Sequence, residues 1–308
     1  VMATTKPTTK SFGKYDKVRV GFLCASHKLE HMKTMLAVFK EALDPTYEYS
    51  LIKKADLSDY LFKNTTPTTL TVLFVKLRKE LSLLPTDSDQ AHAYAKQLMT
   101  LVEKAEQTEN IIVLDPVVPQ KTLTDRAACL AFIEKITEAV NSVQAYKDNP
   151  PLEAPASGVL RSKEEKLPKD VSLPIVVKPL FAEDHQCGVL FEEKEVLTIG
   201  EKWNYPVVVQ SYVPHDSFLI KLTYIGGKCQ TAFRGSIPLF REDTKSPAKG
   251  DEMFTFLTKE YCKRSLTEEE KVGKLGIGPE LMQTIADMTR KVTNCALVGL
   301  DLILNKDT

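Results

Sequence analysis

The sequence lacks the short motifs that mark several large enzyme classes. It has no GxxxxGK[ST] phosphate loop, and no GxGxxG follows its first apolar run. The P-loop class is therefore excluded, and a dinucleotide site of the Rossmann type is not indicated. GxSxG and HExxH are also absent, which removes the signatures of serine hydrolases and zinc peptidases. The function has to be sought in single residues placed on strands and helices.

Cysteine is sparse and scattered. None of the six cysteines forms a CxxC pair or stands beside a histidine cluster, so neither a zinc site nor a redox motif is indicated. Such cysteines are typical of small buried side chains in a reducing compartment, and we expect a cytoplasmic protein. No apolar run is long enough for a membrane span. Lys plus Arg and Asp plus Glu both total 41, so bulk charge favours neither nucleic acid nor membrane as a partner.

Strand-like and helix-like segments alternate in the first part of the chain. Residues 1–16 are rich in Thr and Lys, lack the apolar segment of a signal peptide, and are predicted to be a disordered tail. Val18–Ala25 predicts a strand, and Lys28–Leu43 predicts a helix because its apolar residues recur at helical spacing. Together with the segments that follow, this predicts a parallel α/β sheet. Those segments are strands at Tyr49–Ile52, Leu70–Leu77 and Asn110–Val117, and helices at Ala91–Ala105 and Thr122–Val143.

The second half of the chain is predicted to contain strands with little helix between them. Tyr146–Leu167 is rich in Pro, Lys, Asp and Ser and is predicted to be a linker. Gly226-Gly227 indicates a hairpin, Ser265-x-x-Glu268 a capping box, and Pro279 the first turn of a helix. An antiparallel α+β half thus follows the α/β unit, and a nucleotide or phosphate would suit a cleft between them. The strands are predicted at Pro174–Leu180, Gly188–Phe191, Val207–Val213, Phe218–Ile225, Lys228–Ile237 and Ala296–Leu304.

Four charged residues stand on apolar strands or at their ends. Lys178 ends one strand, where it can hold a phosphate or extend into solvent. Lys221 and Arg234 could share one face of the predicted hairpin, which favours an anion between them, although an acidic partner would serve as well. Asp301 lies in an apolar strand, so its carboxylate must be hydrogen-bonded, ion-paired or bound to Mg²⁺. A metal ligand and a structural ion pair both stay open.

The order and spacing of several short stretches resemble the inositol-tetrakisphosphate 1-kinase (inositol 1,3,4-trisphosphate 5/6-kinase) family. These stretches, spread from residue 17 to the end of the chain, are Ile112–Pro116, Arg126, Pro174–Lys178, Val208–Val213 with His215, Lys221, Arg234–Ser236 and Val298–Asp301. The resemblance implies an ATP-grasp fold with an N-terminal parallel α/β domain. It also implies a division into a tail at 1–16, a substrate-side α/β domain at 17–118, a central ATP-grasp domain at 119–208 and a C-terminal ATP-grasp domain at 209–308.

The resemblance further implies a kinase that uses ATP and Mg²⁺ to phosphorylate an inositol tris- or tetrakisphosphate. The residues that match ATP-binding positions are Arg126, Lys178, Gln210, Val213, Lys221 and Ser236. The residues that match inositol-phosphate-binding positions are Lys28, Lys76, His215, Lys221 and Arg234. Lys221 and His185 are the expected catalytic residues, and Asp301 is the expected Mg²⁺ ligand.

Two features depart from the family pattern. Phe181–Gly188 carries Glu183 and Asp184 where the family supplies donors to phosphate, and it retains only His185 of two histidines. The later Asp-x-Asn metal motif has no counterpart up to Thr308, and finding it in residues that follow would favour the kinase. One alternative is therefore a catalytically impaired ATP-grasp protein that binds an inositol phosphate or nucleotide as a subunit of a larger protein assembly. Another is an ATP-grasp ligase.

Overall fold

The computed structural model describes residues 15–24, 33, 47–63, 66–77, 81, 89–143, 151–181, 186–225, 227–240, 253–257 and 278–305. The chain divides into two compact units, residues 1–120 and 121–308. Each unit has hydrophobic clusters of its own. Apart from residue 33, the predicted helix Lys28–Leu43 lies outside the described residues, and so does the predicted capping box at Ser265 and Glu268.

A four-stranded parallel sheet forms the first unit, in the order β2-β1-β3-β4. Residues from helix α1 and from the strands meet in one buried cluster on a face of this sheet. The parallel α/β sheet predicted from the alternation of segments is therefore confirmed. The elements are β1 (Lys17–Cys24), β2 (Glu48–Ile52), β3 (Thr69–Lys76), α1 (Asp89–Glu106) and β4 (Ile111–Leu114).

Two antiparallel sheets form the second unit. The first has five strands in the order β11-β7-β6-β8-β5, and the second has three in the order β10-β9-β12. The predicted antiparallel half is thereby confirmed. The strands are β5 (Ser157–Leu160), β6 (Ile175–Pro179), β7 (Gln186–Leu190), β8 (Val207–Ser211), β9 (Phe218–Ile225), β10 (Lys228–Gly235), β11 (Phe254–Leu257) and β12 (Leu297–Leu302).

Helices cover one face of the three-stranded sheet. Phe218, Ile220 and Leu222 alternate along β9 and are buried against apolar residues of two helices. The intervening residues of β9 therefore point to the opposite face, which is the face that matters for the site. The two helices are α3 (Arg126–Asn141) and α5 (Pro279–Thr293). The remaining helices are α2 (Val117–Thr124) and α4 (Ile199–Lys202). Within the described ranges, none of the helices has the length and apolarity to cross a bilayer.

The single helix predicted over Thr122–Val143 is wrong, because the structure breaks it at Asp125. The Asp125 carboxylate accepts hydrogen bonds from the backbone N–H groups of Ala127 and Ala128, at 2.8 and 3.2 Å. Asp125 is therefore the N-cap of α3, and Thr122 and Thr124 belong to α2.

The linker predicted over Tyr146–Leu167 is wrong in part. It contains β5, which pairs with β8 and completes the five-stranded sheet. The predicted hairpin is confirmed, because β9 and β10 pair antiparallel over their whole length. Gly227 in the turn has a φ of 90°, a conformation that glycine adopts without steric strain.

Candidate functional site

A pocket with a volume of about 140 Å³ is lined by residues of both sheets of the second unit. Lys178 of β6, Gln210 of β8 and Leu219 of β9 contribute to its wall, together with Val213, His215 and Ser236 from the connecting segments. This volume is below the roughly 300–1,000 Å³ of pockets that enclose a drug-sized ligand. The pocket therefore has room for only part of a ligand of that size.

The half-buried side chain of Lys178 begins a directed series of hydrogen bonds at the pocket wall. Its Nζ donates to Gln210 Oε1 at 2.6 Å, Gln210 Nε2 donates to Ser157 Oγ at 3.1 Å, and Ser157 Oγ donates to the Pro155 carbonyl at 2.7 Å. An ammonium only donates and a carbonyl only accepts, so the two ends fix the direction of every bond between them. The Gln210 amide is thus held with its oxygen toward Lys178.

Arg126 is hydrogen-bonded to the two residues that follow Lys178. Its guanidinium donates to the Pro179 carbonyl at 2.8 Å, and its backbone N–H donates to the Leu180 carbonyl at 3.0 Å. Burial lowers the pKa of Lys178 from its ordinary value, and the charge of Arg126 lowers it further, while the charges of Cys187 and Asp301 oppose the shift. An anion bound at this wall would therefore stabilise the charged form of Lys178.

Lys221 and Asp301 face each other on the neighbouring strands β9 and β12 of the three-stranded sheet. They occupy directly opposed positions of β9 and β12, and Lys221 Nζ lies 2.8 Å from Asp301 Oδ1. Arg234 of β10 stands opposite Leu219, two residues along β9 from Lys221. Because opposed residues of antiparallel strands point to the same side, the three charges share the face that the helices leave uncovered.

His215 joins the segment after β8 to the segment after β10. The ring is 2% exposed, its Nδ1 lies 2.7 Å from the Val213 carbonyl oxygen, and its Nε2 lies 2.9 Å from Ser236 Oγ. Burial lowers the pKa of His215 from its ordinary value of 6.5. Both ring nitrogens are engaged inside the protein, so His215 holds the pocket wall together through its ring.

The scan against known families matches the second half of the chain. The description of the matching family is "Inositol 1,3,4-trisphosphate 5/6-kinase ATP-grasp domain", and the match covers residues 155–308, half of the 308 residues. The chain belongs to the inositol 1,3,4-trisphosphate 5/6-kinase family. The resemblance noted in the short sequence stretches is thereby confirmed.

Two relatives carry the name inositol-tetrakisphosphate 1-kinase. The relative from Danio rerio is 23% identical over 203 residues, which cover 64% of this chain and 50% of the relative. The relative from Xenopus laevis is 24% identical over 234 residues, which cover 72% of this chain and 56% of the relative. The chain thus spans about half the length of these members of the inositol 1,3,4-trisphosphate 5/6-kinase family.

Solved structures with a similar fold include an ATP-grasp ligase. The macrocyclase MdnC from Microcystis aeruginosa, bound with the precursor peptide MdnA, has a TM-score of 0.54 at 11% identity, covering 94% of this chain and 88% of that chain. The ATP-grasp ligase PsnB, complexed with a minimal precursor, Mg and ADP, has a TM-score of 0.51 at 10% identity, covering 94% and 85%. Such identities show the fold alone, and they confirm the predicted ATP-grasp fold of this family member.

The family resemblance assigns two lysines of the first unit to substrate, Lys28 and Lys76, and the structure describes the second of them. Lys76, the last residue of β3, forms an ion pair with Asp115 at 2.9 Å, and Asp115 follows β4 as a buried residue with a φ of 63°. The Asp115 carbonyl accepts a hydrogen bond from the Gln120 side chain. Both charges lie at the carboxyl end of the parallel sheet, where ligands of such sheets usually bind.

Some predicted site residues cannot be located. Lys28 and His185 lie outside the described residues, and their assignment stays a prediction. Asp301 is the sole predicted metal ligand, and the described ranges contain no group of three His, Cys, Asp or Glu side chains that could hold a metal. One carboxylate is nevertheless compatible with Mg²⁺, which commonly keeps several waters and binds through one or two carboxylates and the phosphates of a substrate.

The sequence interpretation missed two positions in this family member. Ser157 was hidden in a segment predicted to be a linker, and no local pattern marks a serine that orients a glutamine 53 residues away. Asp115 lay inside the predicted strand Asn110–Val117 and was given no partner, although an Asp after a buried parallel strand is a general signal of an edge site.

Proposed function

We propose that the protein is an ATP-dependent inositol polyphosphate kinase. In this reaction a ring hydroxyl oxygen bonds to the γ-phosphorus of ATP, the bond between that phosphorus and the β–γ bridging oxygen breaks, and the products are ADP, a more highly phosphorylated inositol and a proton. Family membership supports this reaction class, and the whole protein's activity and substrate are inferred from it.

The observation that carries the proposal is the environment of Lys178. This lysine is half-buried at the wall of the pocket, is oriented by Gln210 and forms no ion pair with a carboxylate of the described residues. A cation with a pKa lowered by burial gains stability from an anionic ligand. Phosphoryl transfer depends on such positioning and charge neutralisation more than on covalent chemistry by the protein.

The other residues fit defined tasks in this proposal. Val213 and its neighbours would hold the adenine, Lys178 and Arg126 would hold phosphates, and Lys221 with Arg234 would meet the phosphates of ATP and inositol on the open face of the sheet. Lys221 would orient the transferred group without exchanging a proton. Asp301 would contribute the carboxylate for Mg²⁺, which neutralises charge that develops on the phosphates when it is bound.

A second candidate is binding without transfer, as in a structural subunit that holds an inositol phosphate or nucleotide. The 2.8 Å pair of Lys221 and Asp301 favours it, because the cation and the carboxylate that transfer requires neutralise each other. Transfer demands that this pair opens. Binding of an anion by Lys178 and Arg126 does not require the Lys221–Asp301 pair to open.

The test is phosphoryl transfer from ATP with Mg²⁺ to a panel of inositol tris- and tetrakisphosphates. We expect turnover by the wild type and a loss of about 10²–10³-fold in kcat/KM for Lys178→Met, as for other removals of a group that stabilises transition-state charge. Lys291→Met is the matched control, because Lys291 is exposed at the end of α5 on the covered side of the sheet. Absence of turnover with retained ligand binding would support the second candidate, and equal losses in both variants would contradict the site.

A further inference from the structure

The ring of His215 has a defined tautomer. The Val213 carbonyl can only accept, so Nδ1 at 2.7 Å must carry the hydrogen. Since burial lowers the pKa of His215 below 6.5, the ring is neutral at pH 7, and Nε2 then offers only a lone pair. Ser236 Oγ, at 2.9 Å, must therefore be the donor in its bond with Nε2.

Backbone hydrogen bonds also join the segment after β8, which holds His215, to the segment after β10, which holds Ser236. The Ser217 N–H donates to the His215 carbonyl at 2.9 Å, and the Ser236 N–H donates to the Ser217 carbonyl at 2.8 Å. Ser217 has a φ of 60°, so the segment turns sharply at this residue. These bonds leave Ser236 and His215 little freedom to separate, and the side-chain bond between them is held in register.

This arrangement determines what the wall can offer to a ligand. Val213, His215 and Ser236 all line the pocket. The single hydrogen of the Ser236 hydroxyl points at His215, so its Oγ has only lone pairs left for the pocket. The Val213 carbonyl likewise has one lone pair left after the bond from Nδ1–H. The side-chain and carbonyl groups of this part of the wall are acceptors.

We propose that His215 is a positioning residue that makes the wall selective for adenine over guanine. The inference rests on the proposed function, because it assumes that the base of ATP enters this pocket. Adenine carries an amino group that donates at position 6, where guanine carries an oxo group that accepts. An acceptor that faces position 6 pairs with the amino group and leaves the oxo group unpaired, and a polar group left unpaired on binding is strongly disfavoured.

The role differs from direct contact with the inositol phosphate, which the family resemblance implies for His215. A residue that acts through Ser236 and Val213 should change the choice of base when it is removed. Without the ring, the Ser236 hydroxyl is free to rotate and donate its hydrogen into the pocket, where the oxo group of guanine can accept it. A merely structural role for His215 would lower the affinity for both bases alike.

The experiment measures the dissociation constants of ADP and GDP by calorimetry on the whole protein at neutral pH. For His215→Phe we expect the preference for ADP over GDP to narrow about three- to tenfold, the value of one neutral hydrogen bond, because the freed Ser236 hydroxyl can donate to guanine. His215→Leu, a smaller replacement with the same expected result, serves if the Phe variant does not fold.

Ser236→Ala is the informative partner variant. It removes the hydroxyl but leaves Nε2 of His215 as an acceptor in the wall, so the preference for ADP over GDP should be retained. Ile285→Val is the matched stability control: Ile285 is 1% exposed in the core between α5 and the far face of the three-stranded sheet, and its change should leave the ratio of the two constants unaltered.

The outcomes separate this inference from the proposed function. If the wild type binds ADP but His215→Phe and His215→Leu keep the wild-type preference, the inference is overturned and the kinase proposal stands. The inference is also overturned if Ser236→Ala relaxes the preference as much as the His215 variants do. A wild type that binds neither nucleotide contradicts both the proposed function and the inference.

Discussion

Replacing Asp301 by Asn distinguishes a structural carboxylate from one that takes part in transfer. The amide keeps the size of the side chain but removes the charge that faces Lys221 at 2.8 Å. If Asp301 serves only as the partner of Lys221, the variant loses an ion pair and nothing else. If it holds Mg²⁺ against the phosphates of ATP, the variant also loses the neutralisation of charge in the transition state.

The two losses differ in size. The side chains of Lys221 and Asp301 are 27% and 53% exposed, so solvent screens their attraction, and the pair contributes at most about 1 kcal/mol to the free energy of unfolding. For a chain of this size that is a fall in Tm of roughly 2–4 °C. Loss of a group that stabilises transition-state charge lowers kcat by about 10²–10³-fold, or ~3–4 kcal/mol.

The assay pairs thermal unfolding with the rate of ADP formation in the presence of an inositol tetrakisphosphate and Mg²⁺. We expect Asp301→Asn to lower Tm slightly and kcat strongly. Asp59→Asn is the matched control, because it breaks the exposed Lys63–Asp59 pair, also at 2.8 Å, in the first unit. An unchanged kcat in Asp301→Asn, with the same small fall in Tm as the control, would refute the assignment of Asp301 to the metal.

Three further predictions follow from the pocket wall. Ser157→Ala should raise the KM for ATP by about two- to tenfold with little change in kcat, because Gln210 loses the acceptor that orients its amide toward Lys178; steady-state kinetics measure this. Because burial lowers the pKa of Lys178, this lysine loses its proton at a lower pH than an ordinary lysine, whose pKa is 10.5. As the pH rises, the affinity for ADP should therefore begin to fall before pH 10.5 is reached, and His215→Phe should leave this profile unchanged. Because burial lowers the pKa of folded His215, the unfolded state takes up the His215 proton at a higher pH than the folded state does. The free energy of unfolding of the wild type, measured by denaturant titration, should therefore be full above pH 6.5 and decline below it. The decline should be smaller in His215→Phe.

The alternation of apolar segments was sufficient to predict most strands, because burial of one sheet face leaves a period of two in the sequence. In the hairpin of β9 and β10 this period also indicated that Lys221 and Arg234 could share a face. The period could not predict which residue lies opposite Lys221, since the pairing of β9 with β12 joins residues 80 positions apart. That Asp301 lies opposite Lys221 was thus open until the register was known.

The hydrogen-bonded wall was beyond prediction for a different reason. A histidine followed by polar residues indicates nothing about its own burial, and the interpretation of His215 as a substrate contact came from resemblance alone. Its bonds to Val213 and Ser236 depend on two segments that belong to different sheets. Composition also misled at Ser157, because a strand of four residues at the edge of a sheet can be as polar and glycine-rich as a linker.

The charges of the open sheet face follow from how the second unit is built. Helices α3 and α5 take the apolar side of the three-stranded sheet, so Lys221, Arg234 and Asp301 are left on the other side. Asp301 offsets only one of these cations, and the lowered pKa of Lys178 indicates a site that an anion would stabilise. Anion binding needs no change in the Lys221–Asp301 pair, whereas transfer as proposed would need Asp301 to bind a metal in place of Lys221. The chemical difference between a binding protein and a kinase on this scaffold therefore lies in whether a nucleotide with its metal can open that one pair.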